Sequence, residues 1–335
     1  MPKFIFHVGM GKTGSTTIQA ALAENTSALA ANGYLYLGQW LGIVRPEFDE
    51  FAGFQSFLEQ SPREFDIASY LFLRATEDIN ISRKFDKFIV SNEQYLENVI
   101  KTEPFFRGIS RRGELEIIIY VRPPATWLPS AYMQWGVIHK TNIGHLESFS
   151  VQARELMKQY GYIRQWRETF GSAVTVRSFD DRLDVVKDIS SYIQVELVSR
   201  LGRHQGRPGV SEALLRGMCN NIYPGIAFPE FYNEILARGI PAGTPRSLSD
   251  KFSFMFDISD IPEIIAENQE TISYIEQEFG LDMSSHDAPL QGNFNLSELT
   301  NDILGTMMDL VFSQAHQIKG LSSRLEELER QNKPR

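Results

Sequence analysis

Phe4-Ile5-Phe6-His7-Val8-Gly9-Met10-Gly11-Lys12-Thr13-Gly14-Ser15-Thr16-Thr17 is the stretch that decides the fold. Its first five residues are a nearly continuous β-prone run, as expected for a strand covered on both faces in a parallel sheet. Gly9, Gly11 and Gly14 then let the backbone turn sharply. From Thr16 a helix follows, with Ile18, Ala21, Leu22 and Leu29 at three- and four-residue steps and Gly33 as its C-terminal cap. Strand, glycine-rich turn and helix N-terminus in that order favour an anion, because the first-turn N–H groups and the positive end of the helix dipole face the turn. Lys12 adds a point charge, and Thr13, Ser15, Thr16 and Thr17 add hydroxyl donors.

Outward from this stretch, Lys87–Ser91 (KFIVS), Leu115–Val121 (LEIIIYV) and Ala173–Phe179 (AVTVRSF) read as further strands, with helical patterns between them. That alternation predicts an α/β fold of three layers, α/β/α, around a mostly parallel sheet, with a P-loop-like strand-loop-helix unit at its start. After Arg200 the character changes. Residues 200–262 are rich in Gly and Pro and are expected to form a lid or acceptor-binding region. Asp260 and Glu263 then open a helix with Ile261, Ile264, Ile265, Ile272, Ile275 and Phe279 on one face, ended by Gly280. The expected division is one α/β domain over 1–285 and a linker with an amphipathic helix over 286–335. In that tail Leu299, Ile303, Met307, Leu310, Leu321, Leu325 and Leu328 stand at heptad-like steps, interrupted by Gln314 and Gln317. Such a helix either pairs with another copy of the chain, as a homo-oligomer, or packs on its own domain.

Composition narrows the classes. The chain has 335 residues, 42% hydrophobic and 22% charged, which excludes a wholly disordered or fibrous protein. Its net charge of −9 argues against a nucleic-acid binder held by a broad basic field. The charge is unevenly spread: residues 1–207 carry 24 Lys+Arg against 23 Asp+Glu, and residues 208–335 carry 9 against 19. A single cysteine, Cys219, excludes an internal disulfide and a multi-cysteine metal site. The apolar run Phe4–Val8 is too short for a signal-peptide core, and Leu115–Val121 falls far short of the roughly 20 residues of a membrane helix. The expectation is a cytoplasmic protein with no membrane span.

A Walker A loop, GxxxxGK[ST], would need Gly where Phe6 stands. HVGMGKTGSTTIQ instead resembles the 5′-phosphosulfate loop of the bacterial branch of sulfotransferases that use 3′-phosphoadenosine 5′-phosphosulfate (PAPS), with Gly11 where many members have Pro or His. That family's second motif is an Arg at the end of a central strand and a Ser eight residues later. IIIYVRPPATWLPSAY is similar, with Arg122 and Ser130 at those positions. The similarity covers about residues 3–285, and only these two motifs are specific.

The resemblance implies a PAPS-dependent sulfotransferase acting on a hydroxyl or amine of a carbohydrate, lipid or small-molecule acceptor, without a metal. It implies that Gly11 to Thr17 hold the 5′-phosphosulfate, with Lys12 stabilising the leaving group. Arg122 and Ser130 would grip the 3′-phosphate, with Arg203 and Arg207 as further contacts from the loop GRHQGRPGVS. Glu93, just past the strand KFIVS, is the candidate base, although Glu is also common in a helical first turn. His139 and His145 are the runners-up, and Tyr95, Trp127, Tyr132 and Trp135 either stack on a ligand or fill the core. Two other readings stand beside this one: an ATP-dependent P-loop kinase, and a non-catalytic nucleotide-binding assembly module. Every candidate phosphate ligand lies in the near-neutral part of the chain. If the acidic part borders the acceptor, a neutral acceptor is favoured over a polyanionic one.

Overall fold

The structure is a computed structural model that describes residues 1–83, 85–180, 182–198, 210–222, 224–228, 255 and 257–284, with ten helical positions between 303 and 325. Arg203 and Arg207, and most of the expected lid or acceptor-binding region over 200–262, lie outside the described residues. Two compact units divide the chain: Met1–Leu128, Arg154–Gly206 and Ile261–Ala288 form the first, and Pro129–Ala153, Arg207–Asp260 and Pro289–Arg335 the second.

The first unit is α/β, built on a five-stranded sheet of β1 (Lys3–His7), β2 (Tyr34–Tyr36), β3 (Lys87–Ser91), β4 (Glu114–Val121) and β5 (Val174–Ser178). Their order is β2-β3-β1-β4-β5 and every pairing is parallel, so β1 is the central strand. The four expected strands are present within a residue or so at their ends. β2 is additional; its three residues are too few to display a period.

Alternation along β1 sends Phe4 and Phe6 to one face and Ile5 to the other. On the Ile5 face, Ile18, Ala21 and Leu22 of α1 (Ser15–Glu24) and Leu29 of α2 (Thr26–Ala31) pack with Ile89, Ile118 and Tyr120. Val185, Val186, Ile189 and Ile193 of α9 (Val185–Ile193) complete that layer. The expected single helix breaks at Asn25, whose amide donates to the carbonyls of Ala21 and Val198 and accepts from the Val198 N–H. Gly33 does follow in the left-handed region, at φ 77°.

The opposite face is aromatic. Phe6 meets Phe106 of α5 (Val99–Ser110) edge-on at 4.9 Å, and Phe106 meets Trp166 of α8 (Lys158–Phe170) at 5.0 Å. Phe72 of α4 (Pro62–Arg83) lies 5.5 Å from Phe4, and Phe57 of α3 (Phe51–Leu58) lies 5.4 Å from Phe105. α11 (Ile261–Glu267) and α12 (Gln269–Phe279) replace the one late helix expected, with the break at Asn268, and Gly280 caps it at φ 65°. Within the first unit their acids form the ion pairs Arg154–Glu267, with Arg154 in the last turn of α7 (Phe149–Leu156), and Arg167–Glu278, with Arg167 on α8.

The second unit includes α10 (Val210–Ile222) and a π-helical turn over Met133–Ile138 that follows α6 (Pro124–Tyr132). Asn220 donates to the Val137 carbonyl at 2.6 Å, and Asn221 accepts from the Leu146 N–H at 2.9 Å. Among the described residues no helix is long and apolar enough to cross a membrane.

Phe106 is fully buried and touches Phe6, Tyr95, Phe105, Trp166 and Phe170. Phe106→Ala is therefore expected to lower the unfolding free energy by about 3–5 kcal/mol. Equilibrium urea unfolding followed by tryptophan fluorescence measures this.

Candidate functional site

Connections leave β1 and β3 on opposite faces: α1 and α2 carry the chain from β1 to β2 over the Ile5 face, and α5 carries it from β3 to β4 over the Phe6 face. In an open parallel sheet, the carboxyl ends of strands at such a reversal bound the crevice in which ligands sit. Three of the expected elements end there. They are the loop after β1, Glu93 after β3, and Arg122 after β4.

The loop stays attached to the sheet at first. Val8 N–H donates to Ile118 O, Met10 N–H to Tyr120 O, and Tyr120 N–H to Gly9 O at 2.7 Å. It then folds back on itself, because the Met10 carbonyl accepts from the Thr13 hydroxyl at 2.5 Å and from the Ser15 hydroxyl at 3.2 Å. These two hydroxyls, expected as ligand donors, thus brace the loop. Thr16 is exposed and Thr17 half-buried, so those two are the hydroxyls at the surface of the first turn.

Lys12 lies in the left-handed region at φ 63°, uncommon for a residue with a Cβ and held only where the surroundings dictate it. Gly14, at φ 85°, is the N-cap of α1. A Cβ there would stand 3.0 Å from Val185 and 3.3 Å from the Phe179 ring, so the φ that favours glycine is joined by close packing. Phe179 also has the Arg122 guanidinium over its face, 5.8 Å from the centroid. The helix N-terminus and Arg122 therefore flank the same ring.

Arg122 is only 6% exposed. Its Nε donates to the Thr126 hydroxyl at 3.1 Å, and its carbonyl accepts from the Tyr160 hydroxyl at 2.6 Å. Tyr160 packs edge-on against Trp127 at 5.4 Å, and the Trp127 indole N–H donates to the Gly11 carbonyl at 2.9 Å. Two buried aromatics thereby couple the loop to the Arg122 turn. Ser130 is buried on the part of α6 counted with the second unit.

Glu93 opens a 3₁₀ turn, Glu93–Asn98, whose N-cap Asn92 accepts from the Gln94 N–H. Gln19 of α1 donates to Glu93 Oε2 at 3.0 Å and to the Ser91 carbonyl at 3.2 Å, which fixes the carboxylate relative to the loop helix. Burial, with Glu93 nearby, pushes the Tyr36 phenol well above its usual range. His7 is buried at the end of β1, where its Nδ1 and the Ser91 hydroxyl lie 2.8 Å apart. Burial pushes this imidazole down to about 4.

The other candidates have contacts of their own. His139 stacks on Phe228 and His145 pairs with the Asn221 carbonyl, both within the second unit. Tyr95, Trp127 and Tyr132 are fully buried, which makes them core side chains. Sequence reasoning did not find Gln19, Thr126, Tyr160 or Phe179, each joined to the site across chain separations or by a hydroxyl of ordinary type.

Compared with known protein families, curated proteins and solved structures, the chain matches no family model, no curated protein and no solved structure.

The His7 shift has a stability consequence. Between the folded value near 4 and the unfolded value near 6.5, the unfolded chain binds the extra proton. The contribution of neutral His7 is thus complete above pH 6.5 and is lost as pH falls toward 4. His7→Asn, which keeps a partner for Ser91, is expected to flatten this part of the stability profile, measured by urea unfolding between pH 4 and 7.

Proposed function

We propose that the chain is a sulfotransferase that takes a sulfuryl group from PAPS and passes it to a hydroxyl or amine of an acceptor, in a three-layer α/β/α frame with a P-loop-like donor site. What supports the reading is one juxtaposition: a helix N-terminus and the guanidinium of Arg122 flank one ring, Phe179, at the carboxyl end of the central sheet. Lys12 belongs to the same loop. Backbone N–H, ammonium and guanidinium are all donors, and such a set fits a ligand that carries several anionic groups.

On this reading Lys12, the amides of Gly14 to Thr16 and the hydroxyls of Thr16 and Thr17 hold the 5′-phosphosulfate, while Arg122 holds the 3′-phosphate. Ser130, Arg203 and Arg207 are assigned to that second phosphate on sequence alone. The bound donor supplies an electrophilic sulfur with a phosphate leaving group. Glu93, oriented by Gln19, takes the acceptor proton as the acceptor oxygen attacks sulfur, and the bond from sulfur to the phosphate oxygen breaks. Lys12 and the loop amides neutralise the charge that develops on that phosphate. No metal enters these steps. On the same reading the protein acts in the cytoplasm.

The expected result is that adenosine 3′,5′-bisphosphate raises the melting temperature more than ATP with Mg²⁺ does. Radiolabelled sulfate transfer from PAPS to a panel of carbohydrate, lipid and small-metabolite acceptors should fall about 10²–10³-fold in Lys12→Ala. Stabilisation by ATP with Mg²⁺ alone would favour a kinase, and equal turnover by wild type and Lys12→Ala would remove the role given to Lys12.

A further inference from the structure

The C-terminal segment exposes apolar side chains in a pattern that a helix facing only water would not need. Leu304, Met307, Val311, Ile318, Leu321 and Leu325 are helical and 43% to 65% exposed. With Gln314 between Val311 and Ile318, also helical, the steps alternate three and four from 304 to 325, and Leu328 continues them in the sequence. That is a repeat of 3.5 residues sustained over three heptads. A straight α-helix has 3.6 residues per turn, so the stripe stays in register only with a partner helix wound around it in a left-handed supercoil.

The side chains at these positions select the partner. Leu304, Val311, Ile318 and Leu325 occupy the a positions, and Met307, Gln314, Leu321 and Leu328 the d positions. β-Branched residues at a with Leu at d, as in the Ile318–Leu321 heptad, favour two parallel strands. In a parallel pair, g of one helix faces e of the next heptad on the other. Of the three such pairs in this frame, Leu310–Ala315 and Gln317–Ser322 are uncharged and the last, Arg324–Glu329, joins opposite charges, which two-fold symmetry makes twice. A single polar Gln314 at d favours one register, since any shift would set its amide against apolar side chains.

Net charge does not oppose self-association. Residues 289–335 carry five Lys+Arg against six Asp+Glu, whereas residues 208–288 carry four against thirteen. The acidity of the C-terminal part therefore lies before the tail.

We propose that residues 304–328 form one strand of a parallel two-stranded coiled coil with the same segment of a second copy of the chain. The proposal is independent of the donor site. Sedimentation equilibrium of the full-length chain should give twice the chain mass. Ile318→Glu with Leu321→Glu should convert the dimer to monomer, with near-ultraviolet circular dichroism unchanged because both side chains are exposed. Orientation is read separately: Ile318→Cys should form an interchain disulfide on mild oxidation, as an a position faces itself only in a parallel pair, while wild type with Cys219 alone serves as control. A monomeric wild type from nanomolar to high micromolar concentration would overturn the proposal. So would a dimer that survives both glutamates, or one in which Ile318→Cys does not cross-link.

Discussion

The carbonyl of Met10, a fully buried residue just beyond the central strand, is the acceptor on which the conformation of the glycine-rich loop depends. It takes hydroxyl donors from Thr13 and Ser15, and that double attachment folds the glycine-rich loop back over the strand end. The folding sets Lys12 in the left-handed region and Gly14 at the N-cap of α1. A buried carbonyl without a donor costs more than a single hydrogen bond normally contributes. The hydroxyls of Thr13 and Ser15 are thus held by the loop's own backbone, which leaves those of Thr16 and Thr17, with the amides and cations, at its surface.

A second constraint is aromatic. Phe179 packs closely against Gly14 and has Arg122 over its face. Trp127 and Tyr160 tie the Gly11 and Arg122 carbonyls into one buried unit. Behind them the Arg177 guanidinium and the Tyr120 hydroxyl converge on Asp188, which holds α9 against β4 and β5. Burial works against ionising Asp188, yet these hydrogen bonds keep its carboxyl below the usual carboxylate range. The scaffold around the loop is therefore rigid through directional contacts as well as through apolar packing.

The legible part of this arrangement was local. Four strands could be read from short apolar runs because a strand covered on both faces has no polar side to interrupt it. The loop and Arg122 were legible for the same reason: glycine spacing and a basic residue at a strand end are features of a few consecutive residues. Helix ends were less so. The periodicity runs through Asn25 and Asn268 without a break, and only the side-chain bonds of the first, to Ala21 and Val198, explain why α1 stops there. The supporting contacts were not legible at all. Gln19 and Glu93 are separated by 74 residues, Trp127 and Gly11 by 116, and Tyr160 and Arg122 by 38, so topology alone brings them together. Thr13 and Ser15 illustrate the reverse: their type is legible, but whether a hydroxyl faces ligand or backbone depends on where Met10 points.

Hydrogen–deuterium exchange with and without adenosine 3′,5′-bisphosphate tests the central claim, that the loop after β1 and the turn after β4 form one anion site. The account predicts slowed exchange together in peptides covering Gly9–Thr17 and Val121–Trp127, with no slowing at the exposed outer face of α4. Slowing in neither peptide, or only in segments remote from the carboxyl end of the sheet, would contradict it.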